Sequence, residues 1–248
     1  MVLKATYFGS STWLIEFGNF RILIDPWLTG NLSFPPGPWL IEGSLPNSIE
    51  IPKNLDLLLL TQGLADHAHP PTLKKLPKSI PVLGSPSAGK VAKQLGFENV
   101  QEIKPGMTKQ LKELSIEATA GAPVPNVENG YVITHPLGSI YIEPHGFLDK
   151  NLAPRDLDAV ITPVVNVTLP LFGAFLKGKQ VLPELIKCFK PITVLASTTG
   201  GNAKFTGLLG NLMKMEGSST QEASNYFTKE RTLIDPIVGK TYSLPTHK

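Results

Sequence analysis

Apolar residues along the first quarter of the chain fall in short runs bounded by turn residues, and that pattern predicts β-strands. Leu3–Phe8, Thr12–Phe17 and Phe20–Ile24 are the first three, and Gly18-Asn19 between the last two suits a tight hairpin. Residues 26–47 are rich in Pro and Gly, carry Trp27 and Trp39, and read as a long ordered loop over one end of the sheet. Leu57–Leu60 is an unbroken apolar run, as a strand covered on both faces requires. Val82–Leu83 is a short strand, and a helix from Pro86 to Leu95 stops at Gly96. Strand-like pieces follow near 100–103, 114–119, 130–135 and 138–142. Strands near 157–161 and 192–196 flank a helix near 179–189. The C-terminal part reads as helices near 203–214 and 219–227, the second opened by a capping box of Ser219 and Glu222. Hairpins first, then strands alternating with helices, predict a layered α/β (α+β) fold with sheets inside and helices outside. No short internal repeat and no low-complexity linker breaks the chain, so residues 1–248 read as one domain.

Composition narrows the class. A hydrophobic fraction of 42% and a charged fraction of 17% fit a soluble globular protein. The net charge is only +3, and no run of Lys or Arg exceeds the pair Lys74-Lys75. A nucleic-acid groove needs a concentrated basic face, so that class is excluded. A single cysteine, Cys188, permits no intrachain disulfide and reads as a packed thiol in a cytoplasmic protein. The opening stretch lacks the sustained apolar core of a signal peptide. The most apolar region, residues 157–176, contains Asp158, Pro163, Asn166 and Pro170, which argue against a membrane span.

The chemistry concentrates where Leu57–Leu60 empties into a polar loop, Thr61-Gln62-Gly63-Leu64-Ala65-Asp66-His67-Ala68-His69. With that loop go the stretch STWLIEFGNFRILIDP at 11–26, the strands Gly130–Ile133 and Ser139–Ile142, and the turn Phe189-Lys190-Pro191. On these residues, spread over most of its length, the chain resembles the metallo-β-lactamase superfamily and its lactonase-like branch. The resemblance implies a four-layer αββα sandwich with the active site on loops at one edge of the facing sheets. It also implies a T-H-x-H-x-D-H loop, whose spacing places imidazoles and a carboxylate on two zinc ions that activate water. At the matching positions Gln62 and Leu64 replace the first two histidines, while Asp66 and His67 remain. The later ligand positions read Thr119-Ala120-Gly121-Ala122-Pro123, Glu143-Pro144-His145-Gly146 and Ser197-Thr198-Thr199-Gly200. Five histidines in total cannot build the family's dinuclear site. Asp25 corresponds to an acid that lies behind the metal loop and orients it, with Thr61 and loop amides as its donors.

Three readings of Asp66 and His67 stand side by side. They hold one metal, zinc or another divalent ion, with help from His69, Glu143 or His145. They act as acid–base groups without metal. Or they are structural, Asp66 accepting backbone N–H bonds and His67 held in place. Gln62, His69 and His145 supply donors and acceptors for a small polar ligand, or bond only to one another and to water. Gly84–Lys90 spells most of a phosphate loop, but Val91 stands where a magnesium-binding hydroxyl is needed and Pro86 removes a backbone donor, so a plain helix start is expected. Thr198-Thr199-Gly200-Gly201 forms either an anion-binding nest or an ordinary turn. Residues 168–175 are unusually apolar for a loop, and serve either as core or as a surface for lipid, a hydrophobic ligand or a protein partner.

The expectation drawn from all this is a divergent protein without the two-metal centre, binding a small ligand or partner at the former active-site cavity. The alternatives are a hydrolase of an ester, lactone or phosphoester with a rebuilt single-metal site, and an interaction protein docking through 168–175.

Overall fold

A computed structural model describes residues 2–123, 127–169, 173–198, 201, 203–216 and 231–247 of the 248-residue chain. Its centre is a pair of seven-stranded sheets. The first runs in the order Thr241–Ser243, Leu3–Gly9, Thr12–Phe17, Phe20–Ile24, Leu57–Leu60, Val82–Gly84, Val100–Glu102. The second runs Thr232–Ile234, Thr193–Ala196, Ala159–Thr162, Gly138–Ile142, Val127–His135, Leu114–Pro123, Thr108–Leu111.

Three apolar cores separate four layers. Trp13, Ile15, Ile22, Ile24, Leu57 and Leu59 meet Ile116, Tyr131, Ile133, Ile140 and Ile142 between the sheets. Alternate residues of the same strands, Leu23, Leu58 and Leu60, face outward onto Leu73, Ala88 and Ala92 of the helices Pro70–Lys75 and Pro86–Gln94. On the far side Tyr141, Val160 and Val194 pack under Leu182, Leu185 and Phe189 of the helix Gly178–Phe189. Leu57–Leu60 is covered on both faces, which is why its apolar run is unbroken. Each fully buried side chain of this size is worth about 1.5–3 kcal/mol. The αββα sandwich that the resemblance implies is therefore present.

The two sheets share one connectivity. In each, three antiparallel pairings are followed by three parallel ones. The central hairpins also share a register: Trp13 pairs with Ile24 and Tyr131 with Ile142, both partners displaced by 118 residues. Parallel strands end on the same side, so the loops after Ile24, Leu60 and Ile142 gather at one edge of the sandwich, where such folds place their sites.

Several expectations shift in detail. The strand Thr108–Leu111 was not anticipated because its exposed edge position carries a polar pattern. Pro70-Pro71 open a short helix that the loop reading missed, with Pro in the first turn where no backbone donor is lost. Residues 26–47 contain the short strands Leu32–Ser33 and Glu42–Ser44. The helix expected near 203–214 is instead the strand Lys204–Thr206, paired with Glu42–Ser44, then a helical turn Gly207–Gly210 and the strand Lys214–Glu216. Leu208 and Leu212 are exposed, so the apolar spacing there has no core face to bury. The stretch Gly84–Lys90 does open a helix, with the Ser85 hydroxyl accepting from the Ala88 N–H. Residues 166–169 and 173–177 form a hairpin. Its tip at 170–172, the expected helix at 219–227, and Thr199-Gly200 lie outside the described residues. Among the described residues no helix is long and apolar enough to cross a membrane.

Candidate metal centre

The strand Leu57–Leu60 ends at Thr61, and the chain turns tightly so that the N–H groups of His67 and Ala68 both reach the Leu64 carbonyl. The turn is tied down from outside: the Ser11 hydroxyl donates to the Asp66 carbonyl, and the Gly63 N–H donates to the Ser87 hydroxyl. Behind it sits Asp25, at the end of Phe20–Ile24, in the left-handed region at φ 42°. That conformation is uncommon outside glycine, and it is tolerated best by Asn and Asp. It is held by the Thr12 hydroxyl, which donates to the Asp25 carbonyl and accepts from the Trp27 N–H.

The Asp25 carboxylate accepts from the Thr61 N–H at 2.8 Å, the Thr61 hydroxyl at 2.6 Å and His67 Nδ1 at 2.7 Å. This puts a proton on Nδ1 and makes Nε2 the nitrogen that can serve a metal once its own proton is displaced. Metal-binding histidines are held in this way by a carboxylate behind them.

The second loop follows Ile142. Glu143 accepts from the N–H groups of Ala122, His145 and Phe147 at 3.4, 3.1 and 2.7 Å. The His145 carbonyl takes the Lys177 N–H, and the Thr198 hydroxyl donates to the Pro144 carbonyl. Gly146 has φ 72°, and a Cβ there would meet the Gly178 nitrogen at 2.5 Å, so only glycine lets this loop seat on the helix start. The halves are clamped together beside the site: the Asn129 N–H donates to the Thr61 carbonyl, and the Tyr131 hydroxyl to the Leu60 carbonyl.

The result brings Asp66, His67 and His145 together, with one donor atom from each lying within 4.8 Å of the others. The imidazoles of His67 and His145 are 5.1 Å apart, centroid to centroid. His67 Nε2 lies 3.2 Å from Asp66 Oδ2, yet His67 Nε2 and Asp66 Oδ1 are buried with no hydrogen-bond partner among the described residues. A separation of about 3.3 Å is what two donors show when each stands about 2.0–2.1 Å from a shared tetrahedral ion. The histidines are buried, and the Asp66 side chain keeps 26% of its surface, so the site opens to solvent on that side.

The electrostatics favour a cation. Asp25, Asp66, Glu128 and Glu143 surround two imidazoles, and acids held away from water without a cation must either bear the desolvation cost of their charge or take up protons. Burial opposes charge on His67, but Asp66 and Asp25 outweigh it and hold His67 well above its usual range. Burial likewise opposes charge on Asp66, and His67 beside it brings its carboxyl below the usual value. Burial lowers His145, to which the neighbouring His67 adds. Burial also raises Glu143 and pushes Glu128 up to about 9. Two imidazoles and a carboxylate suit zinc with an open position, and equally an iron(II) or similar ion. The residues therefore fit a metal.

Of the residues singled out from the sequence, Asp25, Thr61, Asp66, His67, Glu143 and His145 belong to this assembly. Gln62 is buried, and its Nε2 has no partner among the described residues. His69 lies elsewhere: Nδ1 pairs with the Thr72 hydroxyl and Nε2 with the Asn31 carbonyl, next to Trp27. Glu128 was not anticipated. It is buried at the start of Val127–His135, with Oε2 3.1 Å from His145 Nδ1. The one cue in the sequence was a charged residue directly ahead of an apolar strand.

A family model described as a β-lactamase superfamily domain matches residues 4–197, more than half of the chain. A protein of Thermoplasma volcanium named a metal-dependent hydrolase is 29% identical over 208 residues, 78% of this chain and 82% of that one. One of Korarchaeum cryptofilum, also named a metal-dependent hydrolase, is 29% identical over 134 residues, 50% of this chain and about half (55%) of that one. The solved structure of a possible metal-dependent hydrolase from Veillonella parvula has a TM-score of 0.70 at 14% identity, covering 98% of this chain and 100% of that one. These findings and the converging donors overturn the expectation of a scaffold that has lost its metal chemistry and only binds a ligand or partner. Of the three residues expected to help Asp66 and His67 hold a metal, His145 is the one that the fold brings into a set with them. Fold, matched family model and site agree, and the chain belongs to the metallo-β-lactamase superfamily.

Proposed function

We propose that this protein is a metal-dependent hydrolase with a rebuilt single-metal site, cleaving an ester, lactone or phosphoester. The observation that carries the reading is the convergence of Asp66, His67 and His145, with Asp66 Oδ1 buried without a hydrogen-bond partner among the described residues and His67 Nε2 facing the Asp66 carboxylate at 3.2 Å. The metal-dependent hydrolase names of the relatives support it.

Asp66, His67 and His145 would hold the ion. A divalent ion so bound polarises a carbonyl or phosphoryl oxygen and makes water a nucleophile near neutral pH. The chain's own groups do the rest. Asp25 keeps the proton of His67 on Nδ1, so that Nε2 stays a donor. Thr61 fixes Asp25 with two bonds. The Asp66 side chain is the member of the set that keeps solvent contact, at 26% of its surface, and is the side from which water or a substrate would approach. Glu143 holds the His145 loop by its backbone and keeps that imidazole facing the first half.

The test is a screen of ester, lactone and phosphoester substrates on protein loaded with zinc, iron or manganese. Hydrolysis that a chelator abolishes and added metal restores supports the reading. Turnover that survives chelation and the Asp66→Ala/His67→Ala pair would contradict it.

A further inference from the structure

The two histidines of the site are supported differently. His67 Nδ1 is bonded at 2.7 Å to Asp25. In the second half, the residue at the position of Asp25 is Glu143, which also follows an Ile-x-Ile strand end and precedes a proline. Glu143 cannot serve His145 in the same way, because both its oxygens take backbone N–H groups and the nearer one is 4.0 Å from His145 Nδ1.

Glu128 stands where that support is missing. It is only 3% exposed, and both its oxygens lack a partner among the described residues. Its Oε2 is 3.1 Å from His145 Nδ1, which is also buried and unpartnered. The distance is that of a hydrogen bond and the alignment is not, so the imidazole must reorient slightly to complete it.

A break in the sheet puts Glu128 there. Ala120 pairs with Asn129 and Pro123 with Val127, so Gly121 and Ala122 together oppose Glu128. The bulge therefore lies on the strand Leu114–Pro123, directly opposite Glu128, and bulges are frequent beside active sites. A Cβ on Gly121 would lie 3.2 Å from the Glu128 carbonyl, so glycine permits the close approach.

We propose that Glu128 is a positioning residue for His145: its carboxylate takes the Nδ1–H and turns Nε2 toward the metal, as Asp25 does for His67. This rests on the single-metal reading above. It gives the second half its own carboxylate–imidazole–metal relay, built from a residue opposite a bulge instead of from the strand-end acid.

The test compares wild type, Glu128→Leu and Glu128→Gln. Zinc affinity is read by competition with a chromophoric chelator, and the His145 tautomer by nitrogen-15 NMR of the zinc-loaded protein. Wild type should bind zinc through His145 Nε2 with the proton on Nδ1. Leu should weaken zinc by about 10–100-fold, the usual loss when such an outer partner is removed. Gln, whose amide oxygen accepts the same bond, should recover most of that. Coordination of wild-type His145 through Nδ1 would overturn the proposal, and this holds even if the Leu variant fails to fold. A folded Leu variant within twofold of wild type, or a Gln variant as weak as Leu, would also overturn it. Wild type that takes no zinc would overturn the hydrolase reading and this proposal together. Loaded wild type with an indifferent Glu128 would overturn this proposal alone.

Discussion

The two halves of the sandwich are built on one plan and finished differently. Phe20–Ile24 and Gly138–Ile142 occupy the same place in their sheets, pair in the same register, and end in an acid followed by proline, Asp25-Pro26 and Glu143-Pro144. Beyond that point the likeness stops. Asp25 reaches the side chain of a histidine on the next strand's loop, whereas Glu143 closes its own loop through backbone N–H groups. Strand geometry is set by alternating apolar residues and tolerates little change, while the loops at one edge are free to vary. The comparison shows why loss of ligands from one loop does not by itself remove the chemistry: a donor from the other half can join what remains.

Removing donors breaks the comparison most sharply. His145→Ala should lower metal affinity at least as far as His67→Ala, by more than about 100-fold, since three protein donors are the minimum for a catalytic site. Isothermal titration with zinc reads both. If His145→Ala were indistinguishable from wild type, the second half would contribute no ligand.

Asp25→Ala should be next. It leaves His67 without its Nδ1 partner and the Thr61 bonds without an acceptor. The expected costs are about 10–100-fold in metal affinity and about 3–5 kcal/mol in stability, read by titration and by denaturant melts. Glu143→Gln should separate the halves: it should reduce stability by about 1–3 kcal/mol through weakened loop bonds, with metal affinity changed less than in Asp25→Ala.

Acidity gives a graded test. His67 in the metal-free protein is held well above its usual pKa, so at neutral pH an ion must displace its proton. Affinity should therefore rise with pH by about tenfold per unit below that pKa and flatten above it. A pH-independent affinity across pH 6–8 would argue against His67 as a ligand. The smallest expected effect is at His69, whose two nitrogens are committed to Thr72 and Asn31. His69→Gln should leave metal binding within about twofold.

Much of the framework was legible because burial leaves a mark on sequence. Leu57–Leu60 announces a doubly covered strand, and Ser85-Pro86 a helix start. The loop with Asp66 and His67 was legible through its resemblance to a family motif, and so was the role of Asp25. The choice among His69, Glu143 and His145 as the third candidate donor was not, because only the sheet-to-sheet packing brings His145 across. Glu128 left still less trace: it sits opposite a one-residue bulge of the neighbouring strand, a feature of strand pairing and not of any local pattern. The segment 203–214, expected to be a helix, misled because Leu208 and Leu212 have helical spacing but no surface to cover. The shared plan of the halves hides in two five-residue stretches, Ile22–Pro26 and Ile140–Pro144, and becomes plain only with strand register.

Whether residues from both halves hold one metal is decided by elemental mass spectrometry of untagged protein beside the Asp66→Ala/His67→Ala double variant. Wild type should carry about one zinc, iron or manganese per chain, and the variant none. A wild-type protein that holds no metal, even after incubation with excess zinc, would rule out a shared metal site.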